Sequence, residues 1–394
     1  MSFPLEHHVD HQPAQLSDQE IFDAHEGGKL TVTSSRPLRT VRDLSLAYTP
    51  GVARVCQQIH GEPQASQRLT GRGRTVAIIS DGSAVLGLGN IGPLAALPVM
   101  EGKAQLFSAF ADLNAVPIVL DKHDADSLVA TIAAIAPSFG AINLEDIAAP
   151  TCFEVERRLI EKLDIPVMHD DQHGTAIVIT AALHNSCRLL NRDLTRLRVV
   201  ISGAGAAGVA CAKMLHDAGI TDITVLDSRG IIQKDRGHLN PIKEELLTYT
   251  NPRNITGGVA EALRGADAFI GLSRGHVSEQ ELAGMAPEPI LFSLANPDPE
   301  IAPELAYRYG AVVATGRSDL PNQINNVLAF PGIFHGALAA GATSITPDMK
   351  LAASRAIAEI AAEDLNAEHV IPSPLDGRVA PAVSQAVRMA AARS

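Results

Sequence analysis

Three observations predict an α/β fold of two domains, each organised around a parallel sheet. Short apolar runs alternate with longer helical patterns through most of the 394 residues, as in βαβ units. Hydrophobic residues make up 46% of the chain but aromatics only 4%, with no Trp, so the core must be aliphatic, which suits strands buried on both faces. A glycine-rich turn at 202–208 joins an apolar run to a helical pattern. At roughly 150 residues per domain as a prior, the length suggests two or three domains. The pattern divides at 175–195, giving an N-terminal domain over 1–180 and a second over 181–394 that ends in helices.

The elements follow in order. Ser17-Asp-Gln-Glu20 reads as a capping box opening a short helix to about Glu26, ended by Gly27-Gly28. Strands are expected at 75–80, 116–120, 140–144 and 165–169. A helix is expected over 175–190, and further strands at 198–202, 223–227, 268–273, 289–295 and 311–316. Thr346-Pro347 reads as N-cap and first residue of a helix through about Glu363.

The charge excludes some functions. With 32 basic and 44 acidic residues the net charge is −12, which argues against broad binding to nucleic acid or anionic membranes. Cys56, Cys152, Cys187 and Cys211 form no CxxC pair, and the N-terminus lacks a basic segment followed by an apolar one. The most apolar stretch, 84–100, is broken by Gly87, Gly89, Asn90, Gly92, Pro93 and Pro98. These features point to a cytoplasmic protein without a disulfide scaffold, a Cys-based zinc site or a membrane span.

The turn at 202–208 carries chemistry. Gly203, Gly205 and Gly208 stand as G-x-G-x-x-G after one strand and at the start of a helix, and Asp227 ends the next strand 19 residues after Gly208. Such a turn lets a pyrophosphate approach the backbone and the helix amides while the acidic residue binds ribose hydroxyls. A Rossmann-type dinucleotide site is therefore expected. Ser273, Asn296 and Gly316 end later strands where the nicotinamide half would lie, or serve as ordinary turn residues.

The first half gathers carboxylates. Glu145-Asp146 and Asp170-Asp171 each end an apolar run, so two parallel strands would bring all four to one sheet edge. Hard oxygen donors favour Mg²⁺ or Mn²⁺; His169 and His173 raise zinc as a weaker alternative. Lys103, amid apolar residues in PVMEGKAQLF, is a base if burial lowers its pKa, or else a side chain whose stem lies along a helix face. Tyr48, in SLAYTPGVA, is a phenolic donor or a packed ring.

These segments together resemble the malic enzyme family, most nearly its short bacterial, NADP-dependent type. The resemblance is carried in order by SLAYTPGVA (45–53), SDGSAVLGLGNIGPLAALPVMEGKA (80–104), INLEDIAAP (142–150), HDDQHGTA (169–176), SGAGAAG (202–208), LANPDPE (294–300) and PNQINNVLAFPGIFHGAL (321–338). It implies Tyr48 as general acid and Lys103 as general base and substrate contact, with Asp170 setting the protonation of Lys103. It implies Glu145, Asp146 and Asp171 as metal ligands, and Asn326, with Asn325 beside it, as ligands of a substrate carboxylate. Gly203, Ala204, Gly205, Ala206, Ala207, Gly208 and Asn296 correspond to cofactor contacts.

The implied reaction is oxidative decarboxylation of (S)-malate to pyruvate and CO₂ by a homodimer or higher oligomer. Asp227 suits the free 2′-hydroxyl of NAD and Arg229 the 2′-phosphate of NADP; NADP is favoured and NAD remains the alternative. Oxaloacetate decarboxylation without net redox is the competing enzymatic reading, and a dinucleotide sensor the non-enzymatic one. Two departures stand out: Ala84 where larger relatives have a substrate-gripping Arg, and LSRGHVS after Ser273 where a Gly-Asn pattern is expected.

Overall fold

The computed structural model describes residues 16–85, 87–295 and 298–393. Two sheets organise them. In the first, β1 (Thr75–Ser80), β2 (Asn114–Val119), β3 (Ala141–Leu144) and β4 (Val167–His169) lie in the order β2-β1-β3-β4, all parallel. The second holds β5 (Arg198–Ser202), β6 (Asp222–Asp227), β7 (Gly230–Ile231), β8 (Ala268–Gly271), β9 (Ile290–Ser293) and β10 (Val312–Thr315) in the order β10-β9-β8-β5-β6-β7. Only the short edge strand β7 runs antiparallel. The α/β prediction thus holds, and the expected strands appear with ends shifted by one or two residues.

Strand order reverses once in each sheet, and ligands of open α/β sheets bind beyond the strand ends at such points. In the first sheet the loops after β1 and β3 meet there, joined by the Ala84 N–H donating to the Asp146 carbonyl at 3.0 Å. In the second, the loops after β5 and β8 meet, joined by Ser202 Oγ and Ser273 Oγ at 3.1 Å.

The helix expected from 175 starts earlier, spanning Asp170–Leu189. Two carboxylates in its first turn favour this, because anions are stabilised by the unpaired amides of a helix N-terminus. Fourteen of its 20 residues are buried, and its Ala176–Leu183 stretch joins a core cluster that includes Val76 and Ile78 of the first sheet and Val199, Ile201 and Ile270 of the second. The C-terminal helices return to the first sheet: Phe107, on the Pro93–Ala111 helix, lies 4.8 Å from Phe330 and 5.5 Å from Phe334 between ring centroids.

The N-terminal arm is built differently. Helices Asp18–Asp23, Val41–Ala47 and Val52–Gly61 contain no buried residue. They rest on local devices, the expected capping box of Ser17 with Glu20 and a second of Thr40 with Asp43. Leu16, Phe22, Val41, Leu44, Leu46 and Tyr48 are exposed. Lys29 ties the arm to the Pro93–Ala111 helix, its N–H donating to Glu101 at 3.0 Å and its Nζ to the Pro98 carbonyl at 3.0 Å. All four cysteines are free, and no helix among the described residues is long and apolar enough to cross a membrane.

Candidate active site

Lys103 stands at the centre of a buried cluster. The Pro93–Ala111 helix turns it inward with Met100, Ala104 and Phe107. Its Nζ donates to Glu145 Oε1 at 2.7 Å and to Asp170 Oδ2, and lies 4.2 Å from the centroid of the Phe330 ring. The expectation that burial would lower its pKa is overturned. Burial does act in that direction, but the charges of Asp170, Glu145 and Asp171 outweigh it and hold the ammonium well above the usual lysine range.

Asp170 is fully buried, and its Oδ2 also accepts from Asn326 Nδ2 at 2.5 Å. Burial pushes its carboxyl up to about 8 although Lys103 opposes the shift. Gly174 makes room for this group, since a Cβ there would lie 1.9 Å from Asp170 Oδ1. Asn326 follows β10, so the second half of the chain reaches into a cluster built mainly by the first.

The other carboxylates are held by their loops. Glu145 Oε2 accepts from Asn143 Nδ2 at 2.9 Å, and burial pushes its carboxyl up. Asp146 adopts a left-handed backbone (φ 53°), and its N–H donates to Asp171 Oδ2 at 2.8 Å. Burial and the neighbouring Asp171 and Glu145 push the Asp146 carboxyl up to about 9, and its Oδ2 is buried with no hydrogen-bond partner. Behind them, Asp81 accepts from Ser83 N–H and Oγ at 3.0 and 2.6 Å, and Ser83 Oγ accepts from the Ala148 N–H at 2.8 Å.

As placed, no three His, Cys, Asp or Glu side chains among the described residues converge to hold a metal ion. Glu145 is turned onto Lys103 and Asn143, and Asp171 onto the Asp146 amide. The donor chemistry nevertheless fits a hard divalent cation: the carboxylates crowd together, and one Asp146 oxygen is buried without a partner. His173 is engaged by Glu156 at 3.0 Å, which removes one of the nitrogen donors that would favour zinc.

The dinucleotide loop lies beside this cluster. Ala206, first residue of the Ala206–Asp217 helix, packs against the first sheet's core. Gly203 has φ 120°, and a Cβ there would come within 2.8 Å of the Leu272 carbonyl. A Cβ at Gly208 would lie 1.8 Å from the Gly203 carbonyl, whereas one at Gly205 would meet nothing, leaving open space. No side chain caps the helix at Gly205. Ala204 and Ala207 complete the loop, and Asn296 lies outside the described residues.

At the end of β6, Asp227 is not free for a ribose. Its Oδ2 accepts from Arg236 Nη2 and from Lys243 Nζ at 2.6 Å, and its Oδ1 from the Arg229 N–H at 2.8 Å. Burial would raise its carboxyl, but Arg236 and Lys243 prevail and hold it well below the usual range. The Arg229 guanidinium is exposed and makes no hydrogen bond among the described residues, whereas Arg236 and Lys243 pair with Asp227. The sequence reading missed them, although two basic residues 9 and 16 positions beyond the acidic one were the available signal.

Two expected site residues stand apart. Asn325 accepts from the Val327 N–H at 3.0 Å and so caps a turn, not joining Asn326 at Asp170. Tyr48 is 67% exposed on the N-terminal arm, and among the described residues no hydrogen bond links it to the Lys103 cluster. Nothing in its motif signalled that exposure.

The domain profile described as "Malic enzyme, N-terminal domain" matches residues 27–160, and that described as "Malic enzyme, NAD binding domain" matches 172–392. An NAD-dependent malic enzyme of Geobacillus stearothermophilus is 52% identical over 375 residues, covering 95% of this chain and 78% of that one. An NADP-dependent malic enzyme of Escherichia coli (strain K12) is 46% identical and covers 95% of this chain, which spans 52% of it. The crystal structure of an NAD-dependent malic enzyme from Thermotoga maritima superposes with a TM-score of 0.90 at 44% identity, over 95% of this chain and 99% of that one.

Proposed function

The chain belongs to the malic enzyme family, and on that premise we propose that it oxidatively decarboxylates malate to pyruvate and CO₂, using NADP in preference to NAD and a divalent cation held by Glu145, Asp146 and Asp171. The observation that carries this reading is the buried contact of Lys103 with Glu145 and Asp170, completed by Asn326 from the other half of the molecule. A purely structural ion pair would not need two acids on one lysine, with an amide from the other half of the chain donating to one of those acids, at a sheet's ligand-binding edge.

When bound, the dinucleotide supplies the hydride acceptor and the divalent ion supplies Lewis acidity to the substrate oxygen at C2. Lys103, once it has given a proton to the adjacent Asp170 carboxylate, takes the proton of the malate C2 hydroxyl. The Glu145 carboxylate then holds the ammonium so formed, and before the next turnover Asp170 loses its proton to solvent while Tyr48 regains one. The Asn326 amide orients a substrate carboxylate. Tyr48 donates its phenolic proton to C3 of enolpyruvate after CO₂ has left. Because Tyr48 stands on an exposed apolar arm, it performs that step only when the arm is docked over a cleft, and a homo-oligomer that covers the arm provides the docking surface.

The coenzyme preference follows from charge. Arg236 and Lys243 more than neutralise Asp227, and this net positive charge at the end of β6 would favour the 2′-phosphate of NADP over the free 2′-hydroxyl of NAD. An absorbance assay with malate and Mn²⁺ should give higher kcat/KM with NADP, with pyruvate forming in step. Lys243→Ala should lower kcat/KM for NADP about tenfold or more, one charge-assisted contact being worth that much, with little loss for NAD. A preference for NAD in the unaltered protein would reject the NADP assignment, and reduction of cofactor without pyruvate would reject the reaction.

A further inference from the structure

We propose that Glu156 is a positioning residue that fixes Asp170 and Asp171 in place. It lies on the buried face of the Thr151–Lys162 helix with Cys152, Val155 and Leu159. Its Oε1 accepts from the His169 backbone N–H at 2.8 Å, and its Oε2 accepts from Gln172 Nε2 at 3.2 Å and His173 Nε2 at 3.0 Å. One donor precedes the Asp170–Asp171 pair and two follow it. A single carboxylate therefore clasps the turn on both sides of the two acids.

The turn needs such a clasp. His169 is the N-cap of the Asp170–Leu189 helix and offers no side-chain cap. Asp170 and Asp171 face Glu145 and Asp146 across the sheet edge, so mutual repulsion works to splay the two loops apart. Glu156 sits on the helix that begins five residues after Asp146, and through it the loop carrying one acidic pair grips the loop carrying the other. The Asp146 N–H to Asp171 bond joins the same two loops from the front. The Glu156 carboxylate suits the task of holding ligands to fixed positions, since charge-assisted bonds are short and directional.

This inference rests on reading Glu145, Asp146 and Asp171 as metal carboxylates, and the experiment separates the two. In the full-length protein, Mn²⁺ affinity is measured by electron paramagnetic resonance of the free ion, dinucleotide affinity by the fluorescence of reduced NADP, and thermal midpoint by calorimetry. Glu156→Gln should weaken Mn²⁺ binding about 10- to 100-fold while dinucleotide affinity stays within about twofold. Glu156→Asp should fall between, and His173→Asn, which removes one donor, should give a smaller loss.

Unchanged Mn²⁺ affinity in Glu156→Gln while Asp171→Asn loses it would overturn the role of Glu156 and leave the metal reading standing. Unchanged affinity in both would overturn both. Parallel loss of Mn²⁺ binding, dinucleotide binding and thermal midpoint in all Glu156 variants would mark a purely structural residue and overturn the inference as well.

Discussion

The cleft around Lys103 and the arm that carries Tyr48 are built by opposite means. In the cleft the central charges are positioned by neighbours far along the chain, Lys103 by Glu145 and Asp170 and Asp170 by Asn326, with Asn143 steadying Glu145 from two residues away. In the arm, helix boundaries are set by residues three positions away, and the apolar side chains face outward. The Lys103 cluster is held by contacts within one chain; the arm rests on local devices and is tied to the Pro93–Ala111 helix through Lys29. On the proposed reaction the two residues differ in what they need: Lys103 needs only correct folding, Tyr48 also needs docking.

The largest expected effect tests the self-sufficiency of the cleft. Lys103→Ala should lower malate-driven cofactor reduction by about 10²–10⁴, as for removal of a general base. It should also leave Asp170 and Glu145 facing each other without their shared cation. Normal hydride transfer in this variant would break the comparison at its stronger half.

A smaller and later effect is expected in the arm. Tyr48→Phe keeps the ring, so any loss reports the hydroxyl. In single turnovers cofactor reduction should outrun pyruvate formation. Mixing Tyr48→Phe chains with Lys103→Ala chains under exchange conditions sharpens the point: if a second copy docks the arm, hybrids recover activity that neither parent has. Absence of recovery, with exchange demonstrated, would mean that each arm folds over its own cleft.

The smallest effect concerns whether a half-buried charge facing Glu156 must be matched. Burial pushes Lys350 down to about 8, although Glu156 pulls the other way. Its folded value lies below its unfolded one, so the cost to stability is complete below pH 8 and fades as pH rises through about 10.5. Lys350→Met should raise the thermal midpoint by a few degrees at pH 7, and the gain should vanish above about pH 10.5. A gain independent of pH would show that packing and not charge is responsible.

Strand positions were legible because parallel strands buried on both faces leave unbroken aliphatic runs such as TVAIIS and RVVIS. The glycine turn was legible because Gly203 and Gly208 leave no room for a side chain. What escaped depends on contacts between residues far apart in sequence. Glu156 looks like any acidic residue on an amphipathic helix, and only the fold brings it to His169 and His173. Arg236 lies in an irregular segment and Lys243 on the short Pro241–Leu246 helix, and neither position by itself announced an ion pair with Asp227. The early start of the Asp170–Leu189 helix was hidden by two acids that read as well at a strand end as in a first helical turn.

That helix also limits how the molecule can be recombined. It begins with two site carboxylates, passes through a core shared by both sheets, and ends beneath the dinucleotide half. The Phe330–Ala340 helix, from the far end of the chain, closes over Phe107 on the other side. An exchange of the cofactor half with that of a relative would cut this shared interior twice, and each cut would set aromatic or aliphatic surfaces against partners they were not shaped for. On the proposed coenzyme reading, a change of coenzyme is therefore more accessible through point substitution at the end of β6, where Arg236 and Lys243 stand outside the shared core, than through transplantation of a module.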